Sequence, residues 1–485
     1  MRLAGQVDGG FRVKELADHD SFHPISDGLE SRDPLGYPDY RGALEAARDK
    51  AGTDESVITG PAQIGGREVE LAVFSFGFMG GSMGEVAGER IARTFERAAE
   101  RGVPVVLQIS TGGARMQEGM RALVQLPRVV AARMTLGDAL QPYIAVLGEP
   151  TTGGVLASAG ALADVTIAVA GATVGFAGPR VAARFTGDPL DPNSHTAISA
   201  FRHGLVDEVI SEGDLPSYVS NVLSILAPDE RKPLDDPADV SIEKTLSGWE
   251  AVVEARHPDR PRGPELAREA AESYSELRGD RAGSQDPAVF AALARIAGRR
   301  VLMLALDAEL APGPAGFRLA RRAVAIAGRL DIPVVTLVDT RGADPSEDSE
   351  AGGIAWEIAA LFEAMLDAPV PILSVVTGEG GSGGALAFAV ADRLVAYEDS
   401  IFSVIAPESA AEILWRDASE GERAANLLRL TARDLLELEI ADDLAPAPLG
   451  VETLRTLLAY HLDGLARDGV SRSDRAGTRR ERWRR

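Results

Sequence analysis

Apolar residues along this chain follow two spacings that alternate. At three- and four-residue intervals, Ile91, Phe95 and Ala98, and later Leu319, Ala323 and Ile326, mark helices that also carry Arg and Glu. Each helix is followed by a continuous apolar run, Val103 to Ile109 or Ile332 to Val338, which predicts a buried strand. A second pair of runs, Ile144 to Leu147 and Ile372 to Val376, leads into Gly-Gly turns that open small-residue helices, GGVLASAGALAD and GGALAFAVAD. Short apolar segments, Val165 to Val169 and Leu394 to Tyr397, complete each series. Strand and helix alternate, so the pattern predicts an α/β layered fold with largely parallel pairing.

The two series superpose at a shift of about 229 residues. Pro104 falls on Pro333, Thr111 on Thr340 and Gly113 on Gly342; Gly153-Gly154 meets Gly383-Gly384 one residue out of step. Two homologous halves are therefore expected, at 61–226 and 266–450. A polar, Pro/Asp/Gly-rich arm (1–60) precedes them and a Pro- and charge-rich linker (227–265) joins them. Residues 451–485 read as a C-terminal helix and a basic tail, the Arg-rich segment from Arg472 being a solvated end.

Composition narrows the chemistry. The 485 residues carry a formal charge of -23, a field that repels nucleic acid and anionic membrane, so neither is expected as a partner. No cysteine is present, which removes disulfides, thiolate metal sites and cysteine nucleophiles. None of Lys14, Lys50, Lys232 and Lys244 follows a glycine, so the GxxxxGK[ST] phosphate loop is missing. The N-terminus lacks a basic region followed by an apolar stretch, and a cytoplasmic location is expected.

Glycine turns are the candidates for function. Gly80 to Gly84 and Gly380 to Gly384 both fit GxSxG, yet only His461 follows Ser382, and His195 and His203 lie in a polar segment, which disfavours a nucleophile elbow. Gly378, Gly380 and Gly383 spell GxGxxG with Glu398 and Asp399 downstream, but the first half has no counterpart. Shared by both halves are turns that expose consecutive backbone N–H groups: Gly112-Gly113-Ala114, Gly153-Gly154 and Gly383-Gly384-Ala385. Such turns admit a ligand closely and stabilise negative charge, which is oxyanion-hole architecture.

FMGGSMGEVAGERI, STGGARMQEG, PYIAVLGEPTTGGVLAS and VGFAGPR resemble the β-type half of bacterial acetyl-CoA carboxylase carboxyltransferase. GDRAG, PVVTLVDTRGADPSEDSEAGGIA, VVTGEGGSGGALAFAVADR and FSVIAPESAAEILW resemble its α-type half. The likeness runs over roughly residues 55 to 450 and implies two homologous crotonase-like ββα-spiral domains in tandem. It further implies transfer of a carboxyl group from carboxybiotin, held on a separate biotin carboxyl carrier protein served by a biotin carboxylase, to an acyl-CoA, with acetyl-CoA giving malonyl-CoA in fatty acid biosynthesis. Carried over by motif, Gly112 and Gly113 serve the thioester enolate, and Gly383, Gly384 and Ala385 the biotin carbonyl. Ala114, Gly153 and Gly154 shape the acyl pocket. Arg115 and Arg180 are carboxylate or phosphate contacts, with a structural ion pair as the alternative for each. A homodimer or larger even assembly is implied, and no metal in this chain.

The chain departs from the family in three places. The four-cysteine zinc ribbon of many β subunits is missing. The usual DTPGA reads Asp339-Thr340-Arg341-Gly342-Ala343, which offers Arg341, beside Gly342, as a contact for a second carboxylate. The usual SPEG reads Ala406-Pro407-Glu408-Ser409. A biotin-independent malonyl-CoA-type decarboxylase and a noncatalytic assembly partner stay open beside the transferase.

Overall fold

The computed structural model describes residues 9–230, 245–448 and 450–484. Two compact units emerge, one of residues up to Ser224 with Arg281–Gly283, the other of Ile225–Asp280 and Ser284 onward.

The first unit is built on a sheet of β1 (Val57–Ile64), β2 (Arg67–Phe74), β3 (Val105–Thr111), β4 (Tyr143–Thr152), β5 (Val165–Val169), β6 (Val174–Gly175) and β7 (Glu208–Ile210). Its order is β1-β2-β3-β4-β5-β7, with β6 paired to the far end of β4. Only the β1–β2 hairpin is antiparallel. Gly65 and Gly66 close it at positive φ, as a two-residue hairpin turn requires. Every residue of β3 is buried, the signature of a parallel strand covered on both faces. One cover is the Glu85–Arg101 helix, whose apolar stripe is buried and whose end is capped by Gly102 in the left-handed region. Phe95 of that helix meets Tyr143 edge-on at 4.9 Å.

The second unit repeats the plan with β8 (Ser273–Glu276), β9 (Val289–Ile296), β10 (Arg299–Leu306), β11 (Val334–Thr340), β12 (Ile372–Gly381), β13 (Arg393–Tyr397), β14 (Ile401–Ser403) and β15 (Asp443–Ala445). The order β15-β13-β12-β11-β10-β9-β8, with β14 on β12, is the first sheet plus the extra edge strand β8. The duplication survives down to its irregularities. β3 and β4 slip register and re-pair at Thr111–Thr151; β11 and β12 do the same at Thr340–Gly380. Continuing from these pairs, Gly153 corresponds to Ser382, and both are left-handed, at φ 75° and 59°. The slip between the Gly-Gly turns in sequence thus disappears in space: the strand ends match at the common shift, and serine occupies the position glycine holds in the first half.

Three segments differ from the sequence expectation. Within the arm, the Tyr40–Ala51 helix buries Tyr40, Leu44, Ala47 and Ala51 against Phe78, and β1 begins at Val57. Within 227–265, the described residues form the Gly248–Ala255 helix, with a Ser247/Glu250 capping box, and enter a second helix, Gly263–Ala270. Ala251, Val252 and Ala255 pack on Ile401, Ala425 and Leu430, so this part is core rather than linker. Pro258 and Pro261 fall between the two helices and Pro264 in the second helix's first turn, where proline is tolerated.

The basic tail is the third. Arg472–Arg482 is helical, with Arg475 and Arg479 buried. Arg479 donates to the carbonyls of Met365 (2.7 Å), Ala368 (2.8 Å) and Val370 (2.6 Å) and pairs with Asp392 at 2.7 Å. A guanidinium fork here satisfies carbonyls at and just beyond the end of the Ile354–Asp367 helix, which composition cannot reveal.

Candidate active site at two pairs of turns

In the first unit the chain leaves β3 through Gly112, Gly113 and Ala114. Gly113 sits at φ 115° and its N–H donates back to Thr111 Oγ1 at 3.0 Å. A neighbouring segment clamps the turn: the Gly112 N–H donates to the Gly80 carbonyl (3.0 Å), Met83 N–H to the Gly113 carbonyl (2.9 Å), and Arg115 N–H to the Met83 carbonyl (2.9 Å). The amides of Gly112 and Gly113, singled out from sequence, are therefore engaged internally. The Ala114 N–H between them and Arg115 has no acceptor among the described residues.

The turn after β4 touches this one. A Cβ on Gly153 would lie 2.8 Å from Gly113 Cα, and one on Gly113 would lie 3.4 Å from Gly153 Cα. Two main chains in such contact leave no room for side chains, which is why both positions are glycine. Gly153 N–H is taken by the Phe176 carbonyl at 2.8 Å, whereas Gly154 N–H, next along, has no acceptor among the described residues. The two touching turns thus bring two unengaged amides, those of Ala114 and Gly154, onto one patch of backbone.

The second unit keeps part of this clamp at the equivalent turn, Pro312 standing where Met83 does and having no N–H to donate to the Gly342 carbonyl. Gly342, at φ 139°, donates to Thr340 Oγ1 (3.3 Å), and Asp344 N–H donates to the Pro312 carbonyl (3.0 Å), one full shift from Arg115 and Met83. Opposite it, β12 runs into the Ser382–Ala389 helix. A Cβ on Gly381 would fall on the Arg341 carbonyl, and one on Gly384 would lie 2.7 Å from Ala343 N. Around Gly383 nothing lies within 4 Å of a built Cβ, so this glycine faces open space. Gly383 and Gly384 are in the first turn, where helical N–H groups lack intrahelical acceptors, and Ala385 stands one step further along the helix.

The three predicted arginines occupy different settings. Arg115 is fully buried and its guanidinium is surrounded by Glu55, Glu118, Ser31, Ser56, Tyr40 and Ser82, so it is a structural ion pair and not a substrate contact. Arg180 lies exposed on the Pro179–Thr186 helix, which buries none of its residues. Arg341 is 72% exposed beside the second turn, its Nε 3.9 Å from Glu379 Oε2.

Beneath Arg341 lies a charged cluster that the sequence did not reveal. Arg256 grips both oxygens of Glu379 at 2.7 Å and reaches Glu408 at 2.6 Å. Asp339, one residue before Thr340, is pushed up to about 6 by burial, opposed by the Glu379 N–H (2.9 Å) and the charge of Arg260. The repeated pair Thr111/Thr340 was the available signal for the turn clamps; the Arg256 cluster had none, because its partners lie more than 100 residues apart.

Neither competing motif acquires its geometry. Ser82 Oγ accepts from Arg115 Nε (3.2 Å), and His195 Nδ1 pairs with the adjacent Ser194 hydroxyl (2.9 Å). His461 is buried beside Arg393, its pKa pushed down to about 4 by burial. Gly378, the first glycine of GxGxxG, packs on the Asp339 carboxyl, not at a ligand cavity.

Two copies of one α/β unit, each ending its central strands in a matched pair of amide-bearing turns, define a tandem crotonase-like protein. A family model described as "Acetyl co-enzyme A carboxylase carboxyltransferase-like" matches residues 234–459. The "Acetyl-coenzyme A carboxylase carboxyl transferase subunits beta/alpha" of Salinispora arenicola (strain CNS-205) is 41% identical over 468 residues, covering 91% of this chain and 83% of that protein. The "Probable biotin-dependent acyl-coenzyme A carboxylase beta3 subunit" of Mycobacterium tuberculosis (strain CDC 1551 / Oshkosh) is 35% identical over 93% of this chain and 94% of its own length. Among solved structures, a transcarboxylase 12S with methylmalonyl-coenzyme A and methylmalonic acid bound superposes with a TM-score of 0.76 at 25% identity, over 95% of this chain and 90% of that one. The chain belongs to the acetyl-coenzyme A carboxylase carboxyltransferase family, with β-type and α-type halves in a single polypeptide.

Proposed function

We propose that this chain moves a carboxyl group from carboxybiotin, borne by a separate carrier protein, to the α-carbon of an acyl-CoA, acetyl-CoA becoming malonyl-CoA. The observation that carries the reading is the duplication of the amide-bearing turns, because the reaction develops negative charge on two oxygens. When bound, carboxybiotin supplies the carboxyl group and a ring nitrogen able to take the α-proton. The chain's own part is electrostatic. Ala114 and Gly154 donate to the thioester oxygen as it becomes an enolate, while Gly383 and Gly384, next to Ala343, donate to the ureido oxygen of biotin. Each preorganised donor of this kind is worth roughly 3 kcal/mol, a factor of about 100 to 1000 in rate.

Arg180 and Arg341 are left to meet the anionic parts of the substrates, a phosphate or a carboxylate. The exposed Phe176, Val181 and Phe185 on the first unit, and Trp356, Ile413 and Leu414 on the second, support an assembly of two or more copies. Biotin carboxylase and the carrier act as separate partners in this reading.

Run in reverse, the reaction tests it. The purified protein should convert malonyl-CoA to acetyl-CoA only when free biotin or biocytin is added. Consumption of malonyl-CoA without biotin would identify a decarboxylase instead, and no consumption under either condition would leave a noncatalytic partner.

A further inference from the structure

Arg115 reaches from the first turn into the N-terminal arm, and the way it does so bears on the turn. Its Nε donates to Ser82 Oγ at 3.2 Å. One terminal nitrogen donates to Glu118 (3.1 Å), Glu55 (3.1 Å), Ser31 (3.1 Å) and Tyr40 (3.4 Å), and the other to the Ser82 carbonyl (2.8 Å), Ser56 Oγ (3.1 Å) and the second Glu55 oxygen. The guanidinium also lies 5.3 Å from the Phe78 ring centre. Ser82 belongs to the segment that clamps the turn from outside. Backbone and side chain of Arg115 therefore grip that segment at successive residues, Met83 and Ser82, and Ala114 is held immediately before this double anchor.

The arm supplies the opposing side. Ser31, Tyr40, Glu55 and Ser56 precede the portion of the chain that is duplicated, and all four bond to Arg115. Tyr40 Oη also donates to Glu118 at 2.5 Å, and the other Glu118 oxygen accepts the Glu85 N–H at 2.5 Å, at the start of the Glu85–Arg101 helix. Two carboxylates face one guanidinium, and that helix end takes up part of the excess negative charge. The second unit repeats one bond of the backbone clamp, Asp344 N–H to the Pro312 carbonyl, but not this anchor. Asp344 stands where Arg115 does and turns to Ser346 (2.7 Å) and Ser349 (2.5 Å) close by.

We propose that Arg115 is a positioning residue for the Ala114 amide, and that Ser31, Tyr40 and Glu55 of the N-terminal arm act through it, so that the arm is part of the thioester oxyanion site. This rests on the carboxyltransferase reading above. A hydrogen bond to a developing oxyanion depends on donor direction, so a turn that relaxes by a few tenths of an ångström still binds acyl-CoA yet polarises it less.

Tyr40→Phe removes one hydroxyl and leaves charge and packing in place; Arg115→Lys keeps the charge and loses the fork. Two readouts are taken on each: kcat and KM for malonyl-CoA in the biocytin-dependent reverse reaction, and the infrared carbonyl stretch of 13C-labelled acetyl-CoA bound to the protein, with thermal midpoint as the control for folding. Expected for Tyr40→Phe is a kcat lowered fivefold or more, KM within twofold of wild type, and a smaller red shift of the bound carbonyl. Arg115→Lys, where it folds, shows the larger loss of both. Wild-type kcat and an unchanged carbonyl shift in Tyr40→Phe overturn the proposal while leaving the transferase reading standing. A wild-type protein that binds no acetyl-CoA and turns over no malonyl-CoA takes both down together.

Discussion

At the scale of single residues, the site depends on glycines whose reasons differ. Gly153 is left-handed at φ 75° and its missing Cβ would press on Gly113 Cα at 2.8 Å, so alanine there is both strained and obstructed. Gly153→Ala should lower reverse-reaction kcat by about 100-fold or more, because the turns must part and the Ala114 and Gly154 amides diverge; steady-state kinetics on folded protein checks this, and kcat within threefold of wild type would contradict it. The glycine clusters and their place at the ends of buried strands were legible in the sequence. Which amide is unengaged was not. That depends on the Gly80–Met83 segment, some 30 residues earlier, whose carbonyls occupy Gly112 and Arg115 and leave Ala114 out. For Arg115 the sequence left an anion contact and a structural ion pair both open, and only the fold of Glu55 and Glu118 around it selects the ion pair.

At the scale of elements, the strand ends carry the strain and the charge. Asp339 closes β11 with its carboxyl buried, at a pKa of about 6 against the ordinary 3.8. The folded unit thus holds this proton more tightly than the unfolded chain does. The stabilisation that follows is complete below about pH 4 and is lost as pH rises through about 6. A shift of this size corresponds to roughly 3 kcal/mol. Asp339→Asn keeps an acceptor for the Glu379 N–H without the titration, so its thermal midpoint should exceed wild type by several degrees at pH 8 and converge with it at pH 4, as calorimetry across that range would show. Parallel midpoints at every pH would remove Asp339 from this role. Periodicity placed β3, β4, β11, β12 and the flanking helices well, because buried parallel strands and amphipathic helices are determined locally. It failed where a segment's polarity is satisfied at long range: the 248–255 helix finds a small apolar cluster contributed by residues near 401 and 425–430, and Arg479 finds carbonyls more than 100 residues away.

At the scale of the whole molecule, the two copies of the fold surround their matched turns differently. Both units keep the threonine-braced, left-handed turn, yet the first supports it with a buried arginine and the second places Arg341 over the Arg256–Glu379–Glu408 cluster. The constant shift made the duplication visible before any coordinates, and the register slips at Thr111 and Thr340 show that it extends to the irregularities on which the sites depend. In the proposed reaction, main-chain amides of the second unit serve biotin while those of the first serve the thioester. Gly383 offers the test, since a Cβ there meets nothing within 4 Å. The measurement is the biocytin-dependent conversion of malonyl-CoA by Gly383→Val, with acetyl-CoA affinity determined on the same protein. If these amides hold biotin, the rate falls at least about 100-fold with acetyl-CoA bound as tightly as by wild type; turnover at the wild-type rate would remove them from the reaction.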